Sequence, residues 1–328
     1  MNAIEEWFMR MFQAFALAAV VAAGTGHRAD AQEKLLVSVP QRGLWDTGVS
    51  ELGRRAGIFK KHGLDLDILF TSGGAESQQA VIGGSMDIAA GIGVSGAIGA
   101  YSKGAPLRLI GSEMIGAPDL YWYVVPNSPI KAVADINGKT VGFSVTGSSS
   151  HAGLLEFARQ NRLDIKAVAT GNMPATFTQV MTGQIDVGWA AAPFGIDALE
   201  DGKIRLIARG YDVDALRGRT TRVIATNLDM LGKRNASLER YMQAYRETVD
   251  WMYSDDPAVL EIYGDYSGFP ERVVKRVRDF FPKETMLPDR ILGIDQIISD
   301  ATKQRFILQP LTKEQVAEFV KIQPAPTP

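Results

Sequence analysis

Residues 139–160, KTVGFSVTGSSSHAGLLEFARQ, hold the densest group of side chains able to seat a ligand. Thr146, Ser148, Ser149 and Ser150 bring four hydroxyls around Gly147. They fall between a β-prone run, 140–145, and a run of good helix formers, 152–160. Ser148 or Ser149 is the expected helix N-cap. A helix start leaves its first backbone N–H groups unpaired, and its dipole places partial positive charge there. Hydroxyls at such a start suit a carboxylate, sulfonate or phosphate group. An ordinary capped strand-to-helix turn has the same composition, so both readings stand at this level. Replacing Ser148 and Ser149 together by alanine is then expected to weaken anion binding and leave the unliganded thermal midpoint nearly unchanged.

Other residues fit the same chemistry. Arg222 lies in a β-prone run and is the best anion clamp, since one guanidinium grips two oxygens at once. A structural ion pair is its alternative, and Arg42 competes for the clamp. His151 shares a helical face with Leu154, Leu155 and Ala158, where a histidine is either a hydrogen-bonded core residue or a ligand contact. Trp45, on the polar loop 41–48, is expected as a cleft wall, and Trp189, inside a strand, as core. Trp45, Tyr121 and Trp122 favour an organic ligand bearing a carboxylate or sulfonate.

Catalysis has little to build on. The chain contains no cysteine, which removes disulfides, thiolate metal sites and cysteine nucleophiles. His62 and His151 are far apart in sequence and show no metal-ligand spacing. No cofactor or metal is expected. Gly91, Gly93 and Gly96 spell a dinucleotide-type glycine pattern, but on the third strand–helix unit and without the acidic partner, so no nucleotide is expected. A net charge of −2 over 328 residues gives no nucleic-acid or polybasic membrane surface.

The elements that must position these residues follow from periodicity. Strands are expected at 35–39, 64–70, 87–90 and 107–112, alternating with helices at 49–59, 77–82 and 91–100. This is βαβαβαβ, which implies a mostly parallel sheet covered on both faces. In open α/β sheets ligands sit at the carboxyl ends of strands. The loops 41–46, 71–76 and 91–95 meet that condition. A second α/β unit spans 119–208, with helices at 152–160 and 172–182. Residues 220–225 are β-prone and lead back to the first unit. From residue 235 the texture is helical, with Leu238, Tyr241, Met242, Tyr245, Val249 and Met252 in one stripe. The run 11–23 is apolar and too short to span a bilayer. With the small residues Ala29 and Ala31 it reads as an export signal over 1–31. Glu5 and Glu6 suit its start poorly, and a start at Met9 suits it better. Residues 323–328 read as a disordered tail.

The segment RAGIFKKHGLDL at 55–66 resembles the G-x-F-x-x-x-G-L signature of nitrate/sulfonate/taurine-type substrate-binding proteins. Gly73-Gly74-Ala75 with GGSMDIA at 83–89, DINGKTVG at 135–142 and GQIDV at 183–187 are similar to later segments of that family, in order. The resemblance runs from residue 35 to about 320. It implies a type II periplasmic-binding-protein fold, two α/β lobes joined by two crossover strands. One lobe is then 33–118 with 228–328 and the other 119–227, with hinge strands near 119–126 and 220–227. It implies a monomer in the periplasm, without a lipid anchor, passing a small organic anion to the permease and ATPase subunits of an ABC importer. The first lobe contributes Gln41, Leu44, Trp45, Gly74 and Ser95 to the cleft. The second contributes Thr146, Ser148, Ser149, His151, Ala191 and Pro193, with Tyr121 and Arg222 near the crossovers. A receptor-linked sensor uses the same module. A THI5-like pyrimidine-precursor synthase or a desulfinase on this scaffold is the enzyme alternative, and the absence of cysteine disfavours both.

Overall fold

The computed structural model describes residues 32–323. The export segment 1–31, the two candidate starts and residues 324–328 of the tail lie outside the described residues. The first half builds strand and helix in alternation: β1 (Glu33–Pro40), α1 (Val49–Arg55), α2 (Ile58–Lys61), β2 (Leu64–Thr71), α3 (Gly74–Ile82), β3 (Ile88–Gly93), α4 (Val94–Ser102) and β4 (Leu107–Ile115). The single helix expected over 49–59 divides at Gly57, whose left-handed backbone (φ 75°) stops the first segment and starts the second.

The chain then crosses to a second sheet through β5 (Leu120–Val124), β6 (Thr140–Phe143), α5 (Ser149–Asn161), β7 (Lys166–Ala169), α6 (Met173–Met181), β8 (Gly188–Ala191), α7 (Ile196–Glu200) and β9 (Arg205–Arg209). It returns as β10 (Thr220–Asn227), followed by α8 (Leu228–Lys233), the long α9 (Asn235–Met252) and shorter helices.

The first sheet has the order β2-β1-β3-β10-β4. β1 is parallel to β2 and β3, while β10 lies antiparallel between β3 and β4. The expected mostly parallel sheet forms, with the returning strand β10 inserted into it as its antiparallel member. This insertion also lengthens β3. Pairing of Val223 with Ile92 and Arg222 with Gly93 carries the strand to Gly93, so α4 begins three residues later than expected.

The second sheet repeats the plan. β5 lies antiparallel between β8 and β9, and β6 pairs in parallel with β7. Val187, just before β8, accepts from the Gly142 N–H at 2.9 Å and donates to the Thr140 carbonyl at 3.0 Å, joining the two ribbons. The order becomes β7-β6-β8-β5-β9, again with an arriving strand in fourth place. Each lobe thus holds one strand of the crossing chain in its own ladder.

Both faces of the first sheet are covered. Leu35, Val37, Ile110 and Ile224 pack with the stripe of α9, all of whose six residues are buried. Ile92, Leu109 and Val223 pack with Ile297, Ile298 and Phe319 on the other face. The second lobe has its own core around Trp122, Phe157 and Val187.

α1 lies so close to α9 that Gly53 has no room for a side chain. A Cβ there would stand 2.2 Å from Thr248 Oγ1 and 2.7 Å from a Phe59 ring carbon. Gly53→Ala is expected to cost about 1–3 kcal/mol by overpacking, read as a lower urea midpoint with an unchanged slope.

Candidate functional site

Three helix starts meet where the two lobes face each other. Gly74 opens α3, Gly93 precedes α4, and Ser148 caps α5. Between them lies a cavity of about 40 Å³, room for a few water molecules. Gln41, Leu44, Gly74, Ser148, Ser149, Ala191 and Arg222 all line it. Pro40, Thr47, Gly91, Gly93, Ser144, Ser150 and Trp189 complete the wall.

The α5 start is built from serines. Ser148 Oγ accepts the His151 N–H at 3.1 Å, which makes Ser148 the N-cap. Its hydroxyl also meets Ser150 Oγ at 3.0 Å, and Ser150 in turn holds Ser144 through both the backbone N–H and the hydroxyl. The N–H groups of Ser149 and Ser150 have no intrahelical acceptor, as the first residues of any helix do not. The lobes touch here through backbone. A Cβ on Gly93 would lie 2.7 Å from the Ser149 nitrogen, and one on Gly96 would lie 2.3 Å from the Gly147 oxygen. The glycine pattern at 91–96 therefore allows close approach of the second lobe. Gln41 reaches across in the same way, its Oε1 accepting the Met173 N–H at 3.4 Å from a left-handed backbone (φ 52°).

Arg222 is the polar centre. Its Nη2 donates to Asp119 Oδ2 at 2.7 Å, Nη1 to Asp46 Oδ2 at 2.5 Å, and Nε to Ser149 Oγ at 3.2 Å. Burial opposes its charge, yet Asp119 and Asp46 outweigh that and raise its proton affinity above the ordinary arginine value. The guanidinium is thus an ion-pair centre at the crossover that also touches the second lobe. Glu113 stands beside it because β4 bulges there. Ser112 pairs with Val223 and Met114 with Arg222, leaving Glu113 as the extra residue. Burial, then the Asp46 charge, push its carboxyl well above the usual range, against a backbone N–H of Gly91 that favours the ionised form.

Several expected residues lie elsewhere. Trp45 is core and no wall: it is fully buried, donates Nε1–H to Tyr253 Oη at 3.1 Å, and meets the Tyr263 ring edge-on at 4.9 Å. Two phenols supply the partners that drew it inward. Trp189 is core as expected, 4% exposed with Nε1–H bound to Thr170 Oγ1 at 3.0 Å, and one edge of it also touches the cavity. His151 stacks on Phe143 at 4.2 Å and accepts the Gly147 N–H, and burial lowers its proton affinity, so it braces the loop as a neutral ring. Tyr121 gives its hydroxyl to the Phe194 carbonyl at 2.5 Å and faces a separate recess. Thr146 is exposed beside Lys103 and Arg305, and Ser95 lines a neighbouring void near Arg219. Pro193 is absent from the cavity wall. Arg42 lies over the Phe70 and Tyr266 rings, away from the cavity. Asp46, Asp119 and Glu113 carried no local signal, because isolated acids look alike until the strands pair.

The NMT1/THI5 like family pattern matches residues 52–258. The chain belongs to the NMT1/THI5-like family. An Escherichia coli K12 protein named for aliphatic sulfonate binding is 28% identical over 194 residues, and that match spans 58% of either chain. Two solved structures resemble this family member in fold. The alkanesulfonate-binding protein SsuA of Xanthomonas axonopodis pv. citri, bound to MOPS, is 20% identical with a TM-score of 0.73, covering 88% of this chain and 97% of that one. The periplasmic nitrate-binding protein NrtA of Synechocystis PCC 6803 is 12% identical with a TM-score of 0.67, covering 87% and 84%. The fold is thereby the two-lobed α/β fold of periplasmic binding proteins.

Two outcomes are expected. Ser148→Ala removes a helix cap and costs about 1 kcal/mol of stability, against the sequence-based expectation, whereas Ser149→Ala shifts the thermal midpoint less. Glu113 has a higher proton affinity folded than unfolded. Its contribution to stability is complete below about pH 4.5, and is lost as pH rises toward its folded value. Glu113→Gln is expected to remove that decline from a series of urea curves taken at increasing pH.

Proposed function

We propose that this protein is the solute-binding component of an ABC importer, capturing a small organic anion, a sulfonate, carboxylate or related compound, between its lobes. The observation that carries this is the convergence of three helix starts and the Ser148–Ser149–Ser150 hydroxyls on one cavity at the lobe boundary. Unpaired N–H groups and helix dipoles favour negative charge without a free cation, and Arg222 is already paired. Family membership and the sulfonate-binding relatives support the same ligand class.

The lobes, read as 33–118 with 228–328 and 119–227, would part and close about the two crossings. The ligand then passes to permease and ATPase subunits from the periplasm, which is also where the export segment at 1–31 directs the chain. An enzyme using a serine nucleophile needs a base to activate it, and the cavity wall offers hydroxyls, an amide, glycine backbone, an indole and a paired guanidinium. The sensor alternative has no observation of its own in its favour.

A thermal-shift screen over small sulfonates, nitrate, aromatic acids and pyrimidines tests the ligand class, since a ligand at a hundred times its Kd adds about 2.7 kcal/mol to native stability. No shift with any sulfonate or carboxylate at millimolar concentration counts against it. In the same assay Ser149→Ala is expected to weaken binding about 3–10-fold. Gly96→Ala wedges the lobes apart, and is expected to reduce the ligand-induced shift while leaving circular dichroism unchanged.

A further inference from the structure

Beneath the cavity three carboxyl side chains surround one guanidinium. Asp46 is 0% exposed, Glu113 and Asp119 are 1% exposed, and Arg222 is 7% exposed. Full ionisation would set three negative charges against one positive in a site shielded from bulk solvent, which a low dielectric penalises heavily. Asp119 Oδ1 lacks a hydrogen-bond donor, and beyond Arg222 only the Thr47 backbone serves Asp46 and only the Gly91 backbone serves Glu113. An ionised oxygen without a donor is the costliest of these states, and a proton removes the cost.

The neighbours leave the carboxyls as the groups that titrate. Asp46 faces Arg222 and Asp119, with Tyr245, Tyr253, Tyr263 and Tyr266 behind it. Glu113 faces Asp46 and Arg222, with Tyr241 and Tyr245 behind it. Burial pushes every one of these phenols up, so they stay neutral. Arg222 is the cation that faces the cluster among the described residues.

Arg222 is also where the cluster meets the second lobe. Its Nε–H reaches Ser149 Oγ at 3.2 Å, and its side chain forms part of the cavity wall. Separating the lobes breaks that contact and lets water reach the guanidinium and the acids behind it. Closing reverses this and dries the cluster.

We propose that closure of the cleft takes up a proton at Asp46, so that the closed form gains on the open form as pH falls. Glu113 is the extra residue of a bulged strand and is 1% exposed, and it keeps its proton in both forms. Asp46 is poised between opposing influences: burial raises its proton affinity, Arg222 lowers it, and Asp119 raises it again. Drying strengthens the first. The closed form then binds more protons than the open one. The closed-to-open ratio rises as pH falls, at most tenfold per pH unit for one proton, and levels off below the open-form value. The inference rests on the clamshell reading given under the proposed function, but no ligand is needed to examine it.

Small-angle X-ray scattering of the unliganded protein, from about pH 5 to 8.5, reads the open-to-closed balance. The radius of gyration is expected to fall as pH falls, no more steeply than one proton allows. Asp46→Asn, permanently neutral, is expected to stay compact throughout, and Glu113→Gln to keep the wild-type profile. Asp119→Asn removes a charge that raises the Asp46 proton affinity, and is expected to move the transition to lower pH. A wild-type radius that ignores pH overturns the proposal. So does an Asp46→Asn profile that still follows pH, or loss of the response in Glu113→Gln. If Asp46→Asn does not fold, an unmoved transition in Asp119→Asn decides against it. A flat radius alongside a ligand-induced thermal shift removes the proton step and leaves the binding function in place.

Discussion

Arg222 ties the molecule together at the point where its halves meet. It leaves β10 inside the first sheet, pairs with Asp46 on the β1–α1 loop and Asp119 before β5, and touches Ser149 on the second lobe. A buried guanidinium is tolerable only with its charge compensated, so at least one ionised aspartate beside it is a condition of its burial. The cost is a cluster richer in acid than in base, with Glu113 pressed into it by a strand bulge. The arrangement fixes the cavity floor. It also leaves the work of attracting an anion to backbone N–H groups and hydroxyls.

The two sheets explain how such a floor arises. Each lobe accepts a strand from the chain as it crosses, antiparallel and in fourth place. The crossings are therefore held by hydrogen-bond ladders on either side, and the short segments between them can bend. Loops at the ends of β1, β3, β6 and β8 point to the same boundary, and there the glycines at 93, 96 and 147 let backbone meet backbone. Side chains larger than hydrogen at 93 or 96 would keep the lobes apart. Closure is thus a packing property as much as an electrostatic one.

Much of this was legible in sequence where the signal is local. The serine-rich start of α5, its cap at Ser148, the α9 stripe and the alternation of strand and helix all follow from spacing and short-range hydrogen bonding. What failed was partner choice. Trp45 lay on a polar loop, yet phenols from α9 onward captured it. A polar loop says nothing about which distant ring lies beneath it.

The sequence alone determined that the chain forms two α/β units, that an anion-friendly helix start opens the second, and that cysteine chemistry is absent, because these depend on residues within a few positions of one another. Only the tertiary structure decided that Arg222 is neutralised, that Glu113 is pushed inward, and which loops share the cavity. Those outcomes depend on strand register and burial across separations of 73 to 176 residues, as the Arg222 contacts with Ser149 and Asp46 show. No local pattern encodes them, since the energy of a buried charge is set by whatever the fold brings beside it.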